Sequence, residues 1–114
     1  MHELSLSLNI LDLVERSVGP GSGKQVHEVR ISVGKLSGVE ATILEEALRM
    51  VSAHTAFAST VWVMTQKPAA GLCSSCGMNF PMEYLWDVCP ACGGRALKIT
   101  EGDDLEVDSI IISE

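Results

Sequence analysis

Four cysteines are the residues of this 114-residue chain whose types and spacing most directly indicate chemistry. They form two C-x-x-C pairs, Cys73 with Cys76 and Cys89 with Cys92, and twelve residues separate the pairs. Each pair can present two thiolates to one ion from a single turn, and the glycine that follows lets the backbone fold back toward sulfur. Four thiolates suit tetrahedral Zn(II) at about 2.3 Å per bond. The spacing therefore predicts a zinc site, with redox pairs, an iron–sulfur centre and disulfides as the alternatives.

A four-cysteine site is coordinatively closed, so we expect this zinc to hold a fold rather than to activate water. The surrounding segment, 68–103, is too short to build a sufficient core, and metal binding would supply its folding free energy. Within it, Arg95 and Lys98 stand against four acidic residues, before the charge of a zinc tetrathiolate is added. A nucleic-acid-binding ribbon would normally be basic.

A second group of potential ligands lies at the start of the chain, which reads MHELSLSLN. His2 can chelate through its imidazole, its own backbone nitrogen, the peptide nitrogen of Glu3 and the free terminal amine of Met1. Nitrogen donors in a plane favour square-planar Ni(II) or tetragonal Cu(II). Glu3 adds a carboxylate that can neutralise charge or accept the imidazole N–H. By themselves, these residues do not distinguish a nickel site from a histidine placed second by chance.

Two helices are predicted from apolar residues at helical spacing, the first over about 3–18 and the second over about 40–54. The sequence GPGSG at 19–23 ends the first helix, because glycine permits the left-handed exit and proline cannot continue the hydrogen-bond ladder. A capping box of Ser37 with Glu40 is expected to start the second. The core stripe of the first helix is predicted to contain Leu4, Leu8, Leu11 and Val14, and it is widened by Leu6, Ile10 and Leu13.

Strands are predicted where apolar and polar residues alternate or β-branched residues cluster, at VHEVRISVGKL, STVWVMTQ, RALKIT and LEVDSIIISE. The segment KPAAG, 67–71, is interpreted as a linker. His27 falls on the apolar face of the first strand, so we expect a packed, hydrogen-bonded histidine rather than a ligand. His54 lies near the end of the second helix, where partial negative charge favours it.

The last strand is expected to return to the helix-bearing sheet, which makes the cysteine segment an insertion. The predicted fold class is α+β, with a small mixed sheet of about three strands packed by two helices and an inserted zinc-ribbon-like domain. The predicted core domain is discontinuous, comprising 1–67 plus 104–114, and the zinc-binding domain is 68–103.

The composition of the chain disfavours a nucleic-acid-binding protein and a membrane protein. The formal net charge of −7 and the pI near 4.8 disfavour nucleic acid as a partner. No run approaches the roughly 18 to 20 apolar residues of a membrane helix, and the leucines near the start follow His2 and Glu3 rather than a basic region. We therefore expect a cytoplasmic protein, in whose reducing surroundings paired cysteines indicate a metal.

The segments MHELSLSLNILDLVE, VGKLSGVE, KPAAGLCSSCG, CPACGG and EGDDLEVDSI together resemble the HypA/HybF family of hydrogenase maturation nickel metallochaperones. The likeness covers nearly the whole chain in order. It implies that Met1, through its amine, His2 and Glu3 bind the Ni(II) that is transported. It also implies that Cys73, Cys76, Cys89 and Cys92 bind a structural Zn(II).

The resemblance also implies partners: a nickel-linked GTPase, HypB, and the large-subunit precursor of [NiFe] hydrogenase, with urease as a further destination and a homodimer allowed. The protein is then a carrier and not an enzyme, with no nucleic-acid or membrane partner. Two alternatives come from other classes. A zinc-ribbon adaptor in transcription or translation predicts a basic or aromatic-lined face, and a thiol oxidoreductase requires a C-x-x-C pair that is not committed to zinc.

Overall fold

A computed structural model of the chain describes residues 3–19 and 25–113. Among these residues no helix is long and apolar enough to cross a membrane. The elements in chain order are α1 (Glu3–Val18), β1 (Val26–Gly34), α2 (Ala41–Ser52), β2 (Val61–Lys67), β3 (Ala69–Cys73), β4 (Asn79–Met82), β5 (Ala96–Glu101) and β6 (Leu105–Ile112).

The strands form two three-stranded sheets, ordered β2-β1-β6 and β4-β3-β5. The predicted fold class, α+β with two helices, small sheets and a four-cysteine unit, is confirmed. The chain separates into two compact units, of which unit 2 comprises Val33–Gly38 and Gln66–Leu105 and unit 1 comprises the rest. Residues 33–38 thus group with unit 2, whereas the sequence places them in the core domain. That the two parts are separate domains stays a prediction.

Unit 1 contains the two helices, which pack against each other, and the sheet β2-β1-β6. The last strand lies beside β1, as expected, and the N–H of Ser113 donates to the carbonyl of Gln25 at 2.7 Å. Because the end of β6 meets the start of β1, these two strands are antiparallel. The buried apolar side chains of this unit include Ile10, Val14, Val29, Ile31, Leu44, Leu48 and Phe57.

The bounds of α1 agree with the prediction, but its buried face agrees only in part. Ser7 and Val14 are buried, together with Ile10, while Leu4 is 55% and Leu8 is 53% exposed. The hydroxyl of Ser7 donates to the carbonyl of Leu4 at 2.6 Å, so this buried polar group is satisfied within the helix. Ile10 and Val14 are therefore buried as predicted, whereas Leu4 and Leu8 are not. A helix with leucines on several faces has more than one stripe at helical spacing, and the spacing alone does not select among them.

The start of α2 also differs from the prediction. Its N-cap residue is Glu40, which makes no side-chain capping bond, so the box of Ser37 with Glu40 is wrong. Instead, the backbone N–H of Glu40 donates to Oε2 of Glu3 at 3.3 Å. A carboxylate is favourable there, because the first N–H groups of a helix lack backbone partners and carry partial positive charge.

The predicted linker 67–71 is wrong, because most of it belongs to β3, the central strand of the second sheet. Ala70 pairs with Pro81 on β4, and Gly71 pairs with Ile99 on β5. A Cβ at Gly71 would lie 3.1 Å from the Cβ of Ala96, so the strand needs a very small residue at that position. Alanine and glycine have low strand propensity, and the packing between strands overrides it.

The expectation for His27 is wrong, since its side chain is exposed at the start of β1. The buried residues Val26 and Val29 are three positions apart, so strict alternation does not hold at this end of the strand.

In the last strand, β6, Ile111 and Ile112 are 40% and 50% exposed. Of the predicted turn at 19–23, only Gly19 lies within the described residues, and it has the expected left-handed φ of 92°.

Candidate metal centres

The four cysteines lie together in unit 2. Cys73 ends β3, Cys76 lies in the turn that follows, and Cys89 and Cys92 lie in the turn before β5. All four Sγ atoms are within 4.8 Å of one another, with 3.4 Å between Cys73 and Cys92 and 3.7 Å between Cys76 and Cys89. The first cysteine of each pair is buried and the second is exposed. Two turns therefore bring four thiols to one point near the surface.

The two cysteine turns have the same backbone design. In each, the N–H of the first cysteine donates to the carbonyl five residues later, and the glycine four residues later donates back to the cysteine carbonyl. These glycines, Gly77 and Gly93, have φ of 74° and 76°, a conformation that other residues rarely adopt. The bonds are Cys73 N to Met78 O at 2.8 Å, Gly77 N to Cys73 O at 3.1 Å, Cys89 N to Gly94 O at 2.7 Å and Gly93 N to Cys89 O at 2.8 Å.

Backbone amides and neighbouring thiols shift the acidity of the cluster in opposite directions. The N–H groups of Cys76 and Ser75 lower the pKa of Cys73 to about 6. At Cys92 the N–H of Gly94 lowers the pKa, but the thiols of Cys73 and of the other cysteines outweigh it and raise the pKa to about 12. A thiolate at one cysteine thus opposes ionisation of the neighbouring thiols. A bound cation offsets this repulsion because it stabilises several thiolates at once.

The spacing of the sulfurs fits a tetrahedral metal ion. Four bonds of about 2.3 Å in tetrahedral geometry place the sulfurs about 3.8 Å apart, which is close to the separations within the cluster. A disulfide requires about 2.05 Å, and all four cysteines are free thiols. The cysteine cluster is therefore a site able to bind a metal ion, and thiolate ligands suit Zn(II).

Gly94 is a functional residue of this site that the cysteine spacing did not reveal. A Cβ at this position would lie 2.9 Å from Sγ of Cys73 and 2.8 Å from Oγ of Ser75. Its place in the CPACGG segment is the signal that could have identified it, because a second glycine there is not needed for the turn itself. The absence of a side chain at Gly94 leaves room for sulfur.

The cysteines are also a large part of the core of unit 2. The buried cluster consists of Ala69, Cys73, Phe80, Met82 and Cys89. Two of these five residues, Cys73 and Cys89, are cysteines of the cluster, so the same side chains belong to the core and to the site.

The loop that follows β4 is ordered by Asp87, whose Oδ2 accepts the N–H groups of Glu83 at 2.7 Å and Tyr84 at 3.1 Å.

Of the predicted nickel ligands, Met1 and His2 lie outside the described residues, and Glu3 is placed at the first position of α1. Its carboxylate lies at the N-terminus of α2, where it accepts the N–H of Glu40. The start of α1 is thus next to the start of α2. Sequence spacing could not establish this proximity, because the two glutamates are 37 positions apart in the chain.

Within the described residues, the cysteine cluster is the group of three or more His, Cys, Asp or Glu side chains close enough to hold an ion. His27 and His54 are both exposed. They are not part of that group.

Comparison with known proteins gives a consistent result. The model of the HypA family, described as hydrogenase/urease nickel incorporation metallochaperone, matches residues 1–112. A hydrogenase maturation factor HypA from Parabacteroides distasonis is 36% identical over 114 residues, covering 100% of this chain and 99% of the relative. A protein of the same name from Geobacter metallireducens is 32% identical over 110 residues, covering 96% of this chain and 97% of the relative.

The fold is similar to that of the Ni metallochaperone HypA from Helicobacter pylori in solution, with a TM-score of 0.69 over 99% of this chain and 98% of the other. A second solution structure of a HypA protein gives a TM-score of 0.66 over 98% and 96% of the two chains. Sequence identities are 18% and 19%, so these two likenesses concern the fold alone. With the family model matched over residues 1–112, this chain belongs to the HypA family of hydrogenase/urease nickel incorporation metallochaperones.

Proposed function

We propose that this protein is a cytoplasmic, non-enzymatic nickel carrier that binds one Ni(II) at its N-terminus and delivers it for maturation of [NiFe] hydrogenase. The observation that carries the proposal is the match of a nickel-incorporation family model to residues 1–112, which include the Met-His-Glu start. The ligands are the amine of Met1, the imidazole and backbone nitrogen of His2, and the peptide nitrogen of Glu3, whose carboxylate neutralises charge or accepts the imidazole N–H. Nitrogen donors in a plane suit Ni(II).

The position of Glu3 supports this assignment. Its carboxylate is oriented by the N-terminus of α2 through the N–H of Glu40, at 3.3 Å. A charged group that is already oriented beside the ligands loses less conformational freedom when the metal binds.

Affinity alone cannot select nickel, because copper binds more tightly to the same nitrogen donors. Docking to a partner and the supply of metal must therefore contribute to selection. The partners are the nickel-linked GTPase HypB and the hydrogenase large-subunit precursor, with the urease pathway as a further destination. Either partner releases the metal by providing replacement ligands. Because the amine, the imidazole and the amide ligands must lose protons to bind, nickel affinity falls as pH falls.

In the same proposal, Cys73, Cys76, Cys89 and Cys92 hold a structural Zn(II). A closed set of four thiolates leaves no position for water, so the ion stabilises unit 2 and takes no part in a reaction. Two of its ligands, Cys73 and Cys89, are also buried core residues. Zinc bound to these two cysteines therefore stabilises the buried core of unit 2.

Isothermal titration calorimetry with Ni(II) tests the nickel assignment. The variant His2→Ala and a chain with a short N-terminal extension should each lose the high-affinity site, because one lacks the imidazole and the other lacks the free amine. The matched control is His27→Ala, which removes an exposed histidine elsewhere in unit 1 and should bind nickel normally. Undiminished stoichiometry and affinity in both test proteins would remove the proposal.

Two aromatic residues of unit 2 bear on the adaptor alternative. Tyr84 and Trp86 stack with ring centroids 4.8 Å apart, and they are 54% and 65% exposed. An aromatic face of this kind can bind bases, but the acidic residues Glu83 and Asp87 flank it and repel phosphate. We expect no shift of single-stranded RNA or DNA in a gel at low salt, and a shift abolished by Trp86→Ala would favour the adaptor.

A further inference from the structure

Two depressions with acidic edges lie on the helices of unit 1. Both are shallow and follow one another along α1, with cavity volumes of about 370 Å³ and about 200 Å³. The first is lined from both helices by Glu3, Leu4, Ile43, Glu46, Ala47 and Met50. The second is lined by Leu8, Leu11, Asp12 and Glu15. We refer to these ten residues together as the helical groove.

The apolar residues of the helical groove form one stripe on each helix. Leu4, Leu8 and Leu11 occupy positions i, i+4 and i+7 of α1, and Ile43, Ala47 and Met50 do the same on α2. Four of these six side chains are more than half exposed: Leu4 at 55%, Leu8 at 53%, Ile43 at 51% and Met50 at 71%. Two such stripes on packed helices can receive the apolar ridge of a third helix.

The charge of the helical groove is negative. Arg16 pairs with Asp12 at 3.0 Å, and Arg49 pairs with Glu45, outside the groove, at 3.2 Å. Over residues 3–19 and 25–113, no ion pair involves Glu15 or Glu46. Among these residues no neutralising cation pairs with the two carboxylates that flank the leucines and Met50. The groove therefore complements a ligand that combines apolar and cationic side chains.

We propose that the helical groove is the docking site for a basic amphipathic helix of a partner protein. The helix presents apolar residues at i, i+4 and i+7 to the two stripes and lysine or arginine to Glu15 and Glu46. A second copy of this chain is a poor occupant, because it would bring the same carboxylates against one another. Anionic membranes are repelled for the same reason.

Docking at this groove also places the partner beside the start of the chain. Glu3 lines one end of the groove, so a bound helix lies next to the residue that we assign to nickel, where incoming ligands can replace the donors of this protein. This last step rests on the proposed function. The groove itself and its preference for a basic helix do not.

Fluorescence anisotropy with a model peptide tests the proposal on the full, zinc-loaded chain. The probe is a fluorescein-labelled amphipathic peptide of about 18 residues, five helical turns, with leucines at i, i+4 and i+7 flanked by lysines. The controls are a scrambled peptide of equal composition and a peptide with glutamate in place of lysine. We expect only the patterned lysine peptide to bind with saturation.

Variants of the protein locate the binding. Leu8→Ser and Met50→Ser should each weaken the lysine peptide about tenfold, since each removes a large apolar contact. Leu97→Ser is the matched control, because Leu97 is a 67% exposed leucine on β5 of the other unit. Glu46→Lys should weaken the lysine peptide and strengthen the glutamate peptide. Circular dichroism and zinc content establish that each variant is folded.

Two results would overturn the proposal: equal binding of the scrambled peptide, or no loss of affinity in Leu8→Ser and Met50→Ser. A concentration-dependent dimer that excludes the peptide, detected by light scattering, would assign the groove to a second copy instead. Nickel titration of the same variants separates this proposal from the proposed function. If the parent chain loads nickel normally but does not bind the lysine peptide, only the docking proposal fails. If the parent chain binds the peptide but does not load nickel, only the proposed nickel-carrier function fails.

Discussion

At the scale of single residues, two glycines of the cysteine turns are required for different reasons. Gly77 has a left-handed φ of 74°, and a Cβ at this position would meet no atom within 4 Å. Gly94 has no positive φ, but a Cβ there would lie 2.9 Å from Sγ of Cys73. One glycine therefore serves the backbone and the other makes room for a ligand.

Alanine substitutions at these glycines should separate the two effects. Gly77→Ala is expected to lower the free energy of unfolding of the zinc-loaded protein by about 1 kcal/mol through backbone strain, with little change in zinc affinity. Gly94→Ala is expected to lower zinc affinity about tenfold, because the methyl group displaces a sulfur. Urea unfolding and competition with a zinc chelator measure the two quantities. Equal zinc affinity in both variants would contradict the role given to Gly94.

The sequence was most informative at this scale where the chemistry is local. The ligating type and spacing of Cys73, Cys76, Cys89 and Cys92 are sufficient to predict that the four thiols converge, because each pair needs only one turn. The need for a residue without a side chain at Gly94 has a different origin. It depends on the position of Cys73 in three dimensions, twenty-one residues earlier in the chain, and no local pattern encodes that distance.

At the scale of elements, the start of α2 depends on a side chain from the start of α1. Glu3→Ala removes the carboxylate that accepts the Glu40 N–H, and we expect a loss of roughly 0.5–1 kcal/mol in the free energy of unfolding without nickel. Glu3→Gln keeps an acceptor oxygen and loses only the charge, so its loss should be smaller. Urea unfolding of nickel-free protein measures both, and identical stability of Glu3→Ala and the parent chain would contradict the contact.

Prediction of the elements succeeded where periodicity is strong and failed where tertiary packing decides. The bounds of α1 follow from its apolar spacing, but Leu4 and Leu8 are exposed because several stripes of that helix are apolar. Residues 67–71 resemble a linker because proline, alanine and glycine are poor strand formers. They form most of a central strand because β4 and β5 pair with it on both sides.

At the scale of the whole molecule, the two compact units should differ in their dependence on metal. The buried cluster of unit 2 contains Cys73 and Cys89, whereas the buried apolar residues of unit 1 include no cysteine among the described residues. Removal of zinc with a chelator should therefore unfold unit 2 and leave the helices of unit 1 protected. Amide hydrogen exchange followed by nuclear magnetic resonance measures this.

The expected pattern is rapid exchange across β3, β4 and β5 after chelation, with slow exchange retained in the buried turns of α1 and α2. Adding Zn(II) back should restore protection in unit 2. The variant Cys89→Ser should reproduce the chelated pattern without a chelator, because it removes a ligand from the core. Uniform loss of protection in both units would show instead that the chain unfolds as one cooperative body.

The most direct test of the central claim is native mass spectrometry of the full chain with its authentic N-terminus, in which zinc and nickel are counted separately. We predict one zinc and one nickel per parent chain. For His2→Ala we predict one zinc and no nickel at the same nickel concentration. A His2→Ala chain that still carries one nickel beside its zinc would contradict the assignment of nickel to the start of the chain.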